Sequence, residues 1–230
     1  MFDLHGYGPS ILEGSWLTVQ LALASLAIAI VLGMVAALAK LSKSPIGRGI
    51  AGGYTTVVRG IPELVLMLLL FFGGQLVINY LAAEVIGYEE YIDIDPFTAG
   101  VATIGFIYGA YMAETFRGAI LAVHSGQLEA GAAYGMNKWQ VFHRILLPQM
   151  IRFALPGFGN NWLVLLKATA LVSIIGLDDV LRKAALAAGA TRLPFTFYLT
   201  VGVVYLVLTT VSIILLQWAD RHYSAGVRRA

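Results

Sequence analysis

Long apolar runs dominate the sequence, and they decide what the chain can fold into. Hydrophobic side chains make up 59% of the 230 residues and charged ones only 12%, against about 25% charged residues in an ordinary soluble domain. A hydrocarbon core about 30 Å thick is crossed by about 20 residues of α-helix. The pattern therefore predicts an all-α integral membrane protein with one transmembrane domain over residues 1–230.

Five apolar segments are long enough to be transmembrane helices. They comprise residues 16–39, 57–81, 98–120, 153–177 and 196–218. An odd number of crossings places the two termini on opposite sides of the membrane. On the third predicted helix, Gly100, Gly105 and Gly109 favour a close approach of neighbouring helices.

The charges of the connecting segments differ in sign from one segment to the next. The segment after the second predicted helix contains only acids, namely Glu84, Glu89, Glu90, Asp93 and Asp95. Basic residues follow the first helix (Lys40, Lys43, Arg48), the third (Lys138, Arg144, Arg152) and the fifth (Arg221, Arg228, Arg229). Since basic loops stay in the cytoplasm, we predict an external N-terminus and a cytoplasmic C-terminus. The segment with Arg182, Lys183 and Arg192 departs from this pattern, but it also contains Asp178 and Asp179.

The polar segment 124–150 carries the signals of two short helices. Ser125 is a candidate N-cap, and Gly135 is free to adopt a turn with positive φ. Asn137, with a glutamine three residues later, resembles a capping box. Pro148 is expected to end or kink the second helix. The sequence thus predicts a helix-turn-helix at the cytoplasmic surface.

The same segment contains a spaced motif. Its residues are Glu129, Ala130, Gly135, Ile145, Leu147 and Pro148. They fit the pattern E-A-A-x3-G-x9-I-x-L-P, so the segment resembles the EAA loop of bacterial ABC-importer permeases. Gly131 stands where the second alanine is usual, which lowers local helix stability by up to about 1 kcal/mol. The competing interpretation is an amphipathic helix that lies on the lipid headgroups.

The resemblance extends over nearly the whole chain. Residues 59–72, 105–120, 155–162 and 166–180 look like the polar amino acid branch of these permeases, and most like the Q-type membrane subunits of histidine and lysine/arginine/ornithine importers. The resemblance implies a type I importer transmembrane domain in the bacterial inner membrane. It also implies transport of polar or basic amino acids of the histidine, arginine, lysine and ornithine class, with the glutamine and glutamate class as the alternative.

The resemblance further implies a set of partners. They are a homologous second permease or a second copy of this chain, two cytoplasmic ATPase subunits, and a periplasmic amino-acid-binding protein, with lipid around the whole. Glu129 and Gly135 become the first candidates for coupling to the ATPase. The chain contains no G-x4-G-K-[ST] segment, so ATP is expected on the partner ATPase, and no cofactor is expected on this chain.

Several polar residues fall inside the predicted helices, where a charge costs at least about 2.5 kcal/mol. They are Glu63, Glu114, Asn160, Asn161 and Lys167, with Tyr108 and Tyr111 beside Glu114. The functional hypothesis is that the carboxylates bind the cationic groups of an amino acid, while the lysine or the amides bind its carboxylate.

A structural interpretation of the same residues stays open. Glu114 and Lys167 would neutralise each other, and Arg59 with a helix break at Pro62 would offer Glu63 a local partner near the interface. The asparagines would bond across a helix interface, and the tyrosines would serve in packing.

Other function classes have less support in the sequence. A channel would need polar residues along one continuous helix face, whereas the charges here are few and lie at neighbouring depths. The chain has no cysteine and four scattered histidines, so neither a metal site nor a catalytic constellation is predicted, and the chain is not expected to be an enzyme. Nucleic acid is not an expected partner.

Overall fold

A computed structural model describes residues 4–88 and 90–223, and the described residues contain helices and no strand. The α-helices are α1 (Gly8–Leu41), α2 (Pro45–Gly60), α3 (Glu63–Leu81), α4 (Pro96–Ala122), α5 (Ser125–Ala133), α6 (Lys138–Val141), α7 (Leu147–Ala168), α8 (Val180–Thr191) and α9 (Pro194–Tyr223). A π-helical turn, Ala82–Ile86, extends α3, a second one, Phe142–Leu146, joins α6 to α7, and a 3₁₀ turn, Thr169–Ile175, continues α7. The predicted orientation also used the charges of Glu89, Arg228 and Arg229, which lie outside the described residues.

Four helical stretches of the described chain are long and apolar enough to cross a membrane. They are Gly8–Leu41, Glu63–Ile86, Lys138–Ile175 and Pro194–Tyr223. The remaining predicted helix, 98–120, lies within α4, which has 27 residues but a less apolar sequence. Many side chains of α4 are buried against other helices, and this helix therefore has less need of lipid-compatible residues.

The pair formed by α1 and α4 is the most extensive helix contact in the fold. Its helices run in the same direction, because Ile28 approaches Gly105 and Gly33 approaches Met112. A Cβ on Gly33 would lie 2.5 Å from the Met112 Cβ, and one on Gly105 would lie 2.6 Å from the Ile28 Cγ2. Glycine is therefore required for this backbone approach. The predicted role of the α4 glycines in close helix packing is confirmed.

The second predicted helix, 57–81, is wrong at its beginning, whereas the predicted helix break at Pro62 is confirmed. The chain forms α2, is extended at Ile61 (φ −111°, ψ 140°), and starts α3 only at Glu63. The residue before a proline is disfavoured in the α conformation, which places the break at Ile61 and Pro62.

Helix α2, which has no counterpart among the predicted helices, packs with one face against α1 and α4. Its Ala51 lies in one apolar cluster with Ala36 of α1 and Ala113 of α4, and the Tyr54 hydroxyl donates to the Phe106 carbonyl oxygen over 2.5 Å. The polar segment after α1 therefore includes a helix that contacts both α1 and α4.

The helix-turn-helix of segment 124–150 is confirmed, with one correction at the N-cap of α5. Gly135 has φ +81°, and Asn137 forms the predicted capping box. His124 rather than Ser125 is the N-cap of α5. Of the two outcomes expected for Pro148, the structure excludes an end of the second helix. The π-helical turn before α7 bonds the Leu147 N–H to a carbonyl five residues earlier and so accommodates the proline ring.

Helix α8, which is also absent from the predicted helices, packs against the first turns of α1. Asp179 caps it, with Oδ1 accepting from the Arg182 N–H over 2.9 Å, and Val180 N–H donates to Thr18 Oγ1 over 3.3 Å. A Cβ on Gly14 would lie 2.9 Å from the Asp179 carbonyl oxygen. The glycine thus lets α1 lie directly against the start of α8.

Asp179 is fully buried, and its Oδ2 has no hydrogen-bond partner among the described residues. Burial raises the pKa of Asp179 to about 6, because the cost of desolvating the carboxylate outweighs the cap N–H groups and the Arg182 guanidinium, which lower it. In an unfolded chain the carboxyl would titrate near 4. The buried carboxylate therefore lowers the free energy of unfolding by its full amount above about pH 6. This destabilisation disappears as the pH falls toward 4.

We predict that the protein is more stable near pH 5 than near pH 7.5, and that Asp179→Asn removes this difference. Asparagine keeps the helix cap but carries no charge, so the variant should gain about 1–3 kcal/mol near pH 7.5. Thermal unfolding of the detergent-purified protein across this pH range measures both effects. A variant that is less stable than the parent near pH 7.5 would contradict the assignment.

Candidate substrate path and coupling loop

The break between α2 and α3 brings four polar side chains together. Glu63, the first residue of α3, accepts a hydrogen bond from the Tyr108 hydroxyl over 3.0 Å. The Tyr108 and Tyr111 rings are 5.6 Å apart, and the Arg59 guanidinium lies 5.5 Å from the centre of the Tyr111 ring. We call Arg59, Glu63, Tyr108 and Tyr111 the break cluster.

The break cluster lies near the middle of the bundle. Tyr108 stands on α4 between Gly105 and Met112, which pack against Ile28 and Gly33 of α1, and these two residues are central in the predicted span 16–39. A full charge at this depth is costly.

The helix ends around the break reduce that cost. Glu63 is in the first turn of α3 and Arg59 is in the last turn of α2, so each charge has the sign that its helix dipole favours. Broken helices of this kind bind polar ligands in transporters.

The local partner predicted for Glu63 is wrong. The ion pairs of the described residues do not include Arg59 with Glu63. Instead the carboxylate bonds to a phenol and the guanidinium lies over a ring. Both charges therefore keep hydrogen-bonding capacity for a further group.

Glu114 is bound by two cations on one side of α4. One carboxylate oxygen forms an ion pair with the Lys40 Nζ, and the other lies 3.0 Å from the Arg117 Nη2. Lys40 also donates to Thr55 Oγ1 over 2.7 Å, so this charge cluster joins α1, α2 and α4. The predicted pair of Glu114 with Lys167 is wrong, since Lys167 forms no ion pair within the described part of the chain.

The polar residues of α7 point in two directions. Asn161 donates to Thr115 Oγ1 of α4 over 2.9 Å, as expected for an amide at a helix interface. Asn160 and Lys167 are exposed and seven residues apart, so they lie on one face of the helix. A lysine at this depth is too costly to leave against lipid. This face must therefore meet another protein surface or an aqueous path.

The coupling candidates Glu129 and Ala130 of α5 are exposed, and the Tyr134 side chain after them is 89% exposed. Glycine suits position 135 because φ there is positive, while a Cβ would meet nothing within 4 Å. The loop therefore presents α5 outward through a turn that depends on backbone conformation alone.

The remaining motif residues lie in the second half of the loop. Ile145 packs on the buried Gly131, where a Cβ would overlap the Ile145 Cδ1. The glycine that departs from the EAA pattern thus makes room for Ile145. Leu147 is half-buried and Pro148 exposed at the start of α7.

Residues 29–225 match the family described as the binding-protein-dependent transport system inner membrane component. The chain belongs to this family. It is 50% identical, over 99% of both chains, to the histidine/lysine/arginine/ornithine transport system permease protein HisQ of Escherichia coli (strain K12). It is 44% identical to the nopaline transport system permease protein NocQ of Agrobacterium fabrum, covering 97% of this chain and 94% of that one.

Solved structures agree with the family. The chain superposes on the crystal structure of an amino acid ABC transporter with histidines, with a TM-score of 0.78, 32% sequence identity, and coverage of 94% of this chain and 95% of that one. An inward-facing MetNI methionine ABC transporter shares the fold, with a TM-score of 0.64 at 19% identity over 95% of this chain and 96% of that one.

Some site residues of this inner membrane component escape sequence analysis. Lys40, Thr55 and Thr115 contact path candidates only through tertiary packing. The contact of Arg117 with Glu114 could have been predicted from the sequence. The two residues are three apart on a predicted helix, and such residues are neighbours on the helix surface.

We predict that Glu114→Gln destabilises the protein. The change leaves Lys40 and Arg117 without their carboxylate at a site that is only one-fifth exposed, which costs about 1–3 kcal/mol. Thermal unfolding in detergent measures the loss, and Glu84→Gln, at an exposed carboxylate, serves as the matched control. Equal stability of the two variants would show that the charge cluster does not stabilise the bundle.

Proposed function

We propose that the chain is a permease subunit that translocates polar and basic amino acids of the histidine, arginine, lysine and ornithine class across the inner membrane. The observation that carries the proposal is the carboxylate of Glu63, held at a helix break within the bundle beside Tyr108 and Tyr111. The relative named for histidine, lysine, arginine and ornithine transport supports the same substrate class, since its similarity covers 99% of both chains.

Substrate would bind between the break cluster and the exposed face of α7. Glu63 would accept hydrogen bonds from an ammonium or guanidinium group, and the half-buried Tyr111 would offer its ring face to the same cation. Tyr108, which is buried, would hold the Glu63 carboxylate in place through its hydroxyl. Asn160 and Lys167, on the exposed face, would bind the amino acid carboxylate. Asn161 and Glu114 would act indirectly, since their side chains are bonded within the bundle.

The proposed topology is one transmembrane domain with five crossings, an external N-terminus and a cytoplasmic C-terminus. The helix directions support it, because α1 and α4 run the same way. Helix α7 runs opposite to α4, since Gly157 and Asn161 approach Thr115 and Met112 in reverse order. The sign of the charges in the connecting segments supports the same orientation.

Energy would come from partners. A homologous second permease or a second copy of this chain would complete the path, two ABC ATPase subunits would bind segment 124–150, and a periplasmic binding protein would deliver the amino acid. ATP would be bound by the ATPase subunits, and this chain would need no cofactor of its own. The outward presentation of Glu129 and Tyr134 supports docking of the loop.

We predict that Glu63→Gln lowers uptake of radiolabelled arginine about tenfold or more while leaving the recovered importer complex unchanged. Glutamine still accepts a hydrogen bond from Tyr108, but it loses the charge that makes a bond to a cation strong. Tyr108→Phe is the matched control, because it keeps the carboxylate. Competition by unlabelled histidine, lysine and glutamine defines the substrate class. Unchanged arginine uptake would exclude Glu63 as a substrate contact.

We predict that Gly135→Val weakens ATPase association and uptake, while Gly135→Asn retains both. No side chain blocks a Cβ at this position, so only the backbone conformation differs, and a β-branched residue resists positive φ by about 1–2 kcal/mol whereas asparagine tolerates it. Membrane insertion should be normal in both variants. ATPase recovered by pull-down and ATP-driven uptake are the measurements. Normal coupling in Gly135→Val and in Glu129→Lys would exclude the loop as the coupling element.

A further inference from the structure

A groove of about 880 Å³ runs along the seam between α7 and α9. The two helices are close at Gly159, where a Cβ would lie 3.2 Å from the Leu216 Cδ1. The walls are formed largely by apolar side chains, including Phe153, Leu163 and Ile213. Such walls suit a hydrocarbon chain.

One end of the groove is positively charged. Arg152 and Arg221 both line it, and the two guanidinium groups outnumber the one carboxylate of the lining, that of Asp220. Neither arginine forms an ion pair with another described residue. The Arg152 guanidinium lies 5.8 Å from the centre of the Phe153 ring, so it stays at the groove wall.

The charged end lies at the ends of two predicted transmembrane helices, 153–177 and 196–218. Arg152 is in the second turn of α7, shortly after the coupling loop, and Arg221 is in the last turn of α9. In the proposed orientation this level is the cytoplasmic leaflet, where anionic lipids attract basic residues.

We propose that the groove binds an acidic phospholipid, with the headgroup phosphate between Arg152 and Arg221 and an acyl chain along the apolar walls. Guanidinium groups bind phosphate oxygens in pairs of hydrogen bonds. Asn160, which belongs to the proposed substrate site, also lines the groove, away from its charged end. A cationic amino acid would be repelled by Arg152 and Arg221 at that end, so the lipid headgroup site is distinct from the break cluster. The lipid site does not depend on which substrate is carried.

The test uses native mass spectrometry of the complete importer complex, purified in detergent and titrated with phosphatidylglycerol or with phosphatidylcholine. The parent should retain phosphatidylglycerol preferentially. The Arg152→Gln/Arg221→Gln double variant should lose about twenty-fivefold in phosphatidylglycerol affinity, the product of about fivefold for each arginine near an anionic headgroup. Phosphatidylcholine binding should change little, because that lipid carries no net charge.

Two controls keep the result interpretable. Lys43→Gln/Arg48→Gln removes two exposed basic residues outside the groove and should leave lipid retention unchanged. Arg152→Lys/Arg221→Lys keeps the charge and should restore most of the binding.

Equal phosphatidylglycerol retention by the parent and the glutamine variant would overturn the proposal. Loss of the partner permease from the glutamine variant, with lipid unaffected, would also overturn it and identify the groove as a subunit interface. Substrate uptake, measured in parallel, tests the transport function separately.

Discussion

The cost of placing charge in hydrocarbon is the constraint on which this structure depends. Each charge within the bundle costs at least about 2.5 kcal/mol without compensation, and the fold compensates different charges in different ways. Arg59 and Glu63 lie on the two sides of the break between α2 and α3. Glu114 is bound by Lys40 and Arg117, and Lys167 lies on an exposed face of α7. The first and last arrangements leave charge available to a ligand, whereas the middle one does not.

Close backbone approach makes these arrangements compatible with a small bundle. Glycines at positions 33 and 105 let α1 and α4 lie against each other without side chains between them. That contact holds the end of α1 near α4, so that Lys40, which also bonds to Thr55, reaches Glu114. The charge cluster thus depends on packing that contains no charge at all.

The coupling loop and the proposed path share one continuous helical stretch. Lys138–Ile175, with 38 residues, begins just after the Gly135 turn and carries Asn160 and Lys167 on its exposed face. The π-helical turn before α7 lets the stretch pass Pro148 without a break. Under the proposed function, a displacement of the loop by an ATPase would move the exposed face of α7 directly.

The sequence alone determined the all-helical membrane class, the family resemblance, and the turn and helix cap of segment 124–150. These features depend on the length of apolar runs, on motif spacing and on contacts only a few residues apart. The capping box at Asn137 and the positive φ at Gly135 are of this kind. Tertiary structure alone decided that Glu63 bonds to Tyr108 and that Glu114 bonds to Lys40 rather than to Lys167. Those partners are 45 and 74 residues apart, and the helix rotations that bring them together are set by packing, on which apolar periodicity carries no information.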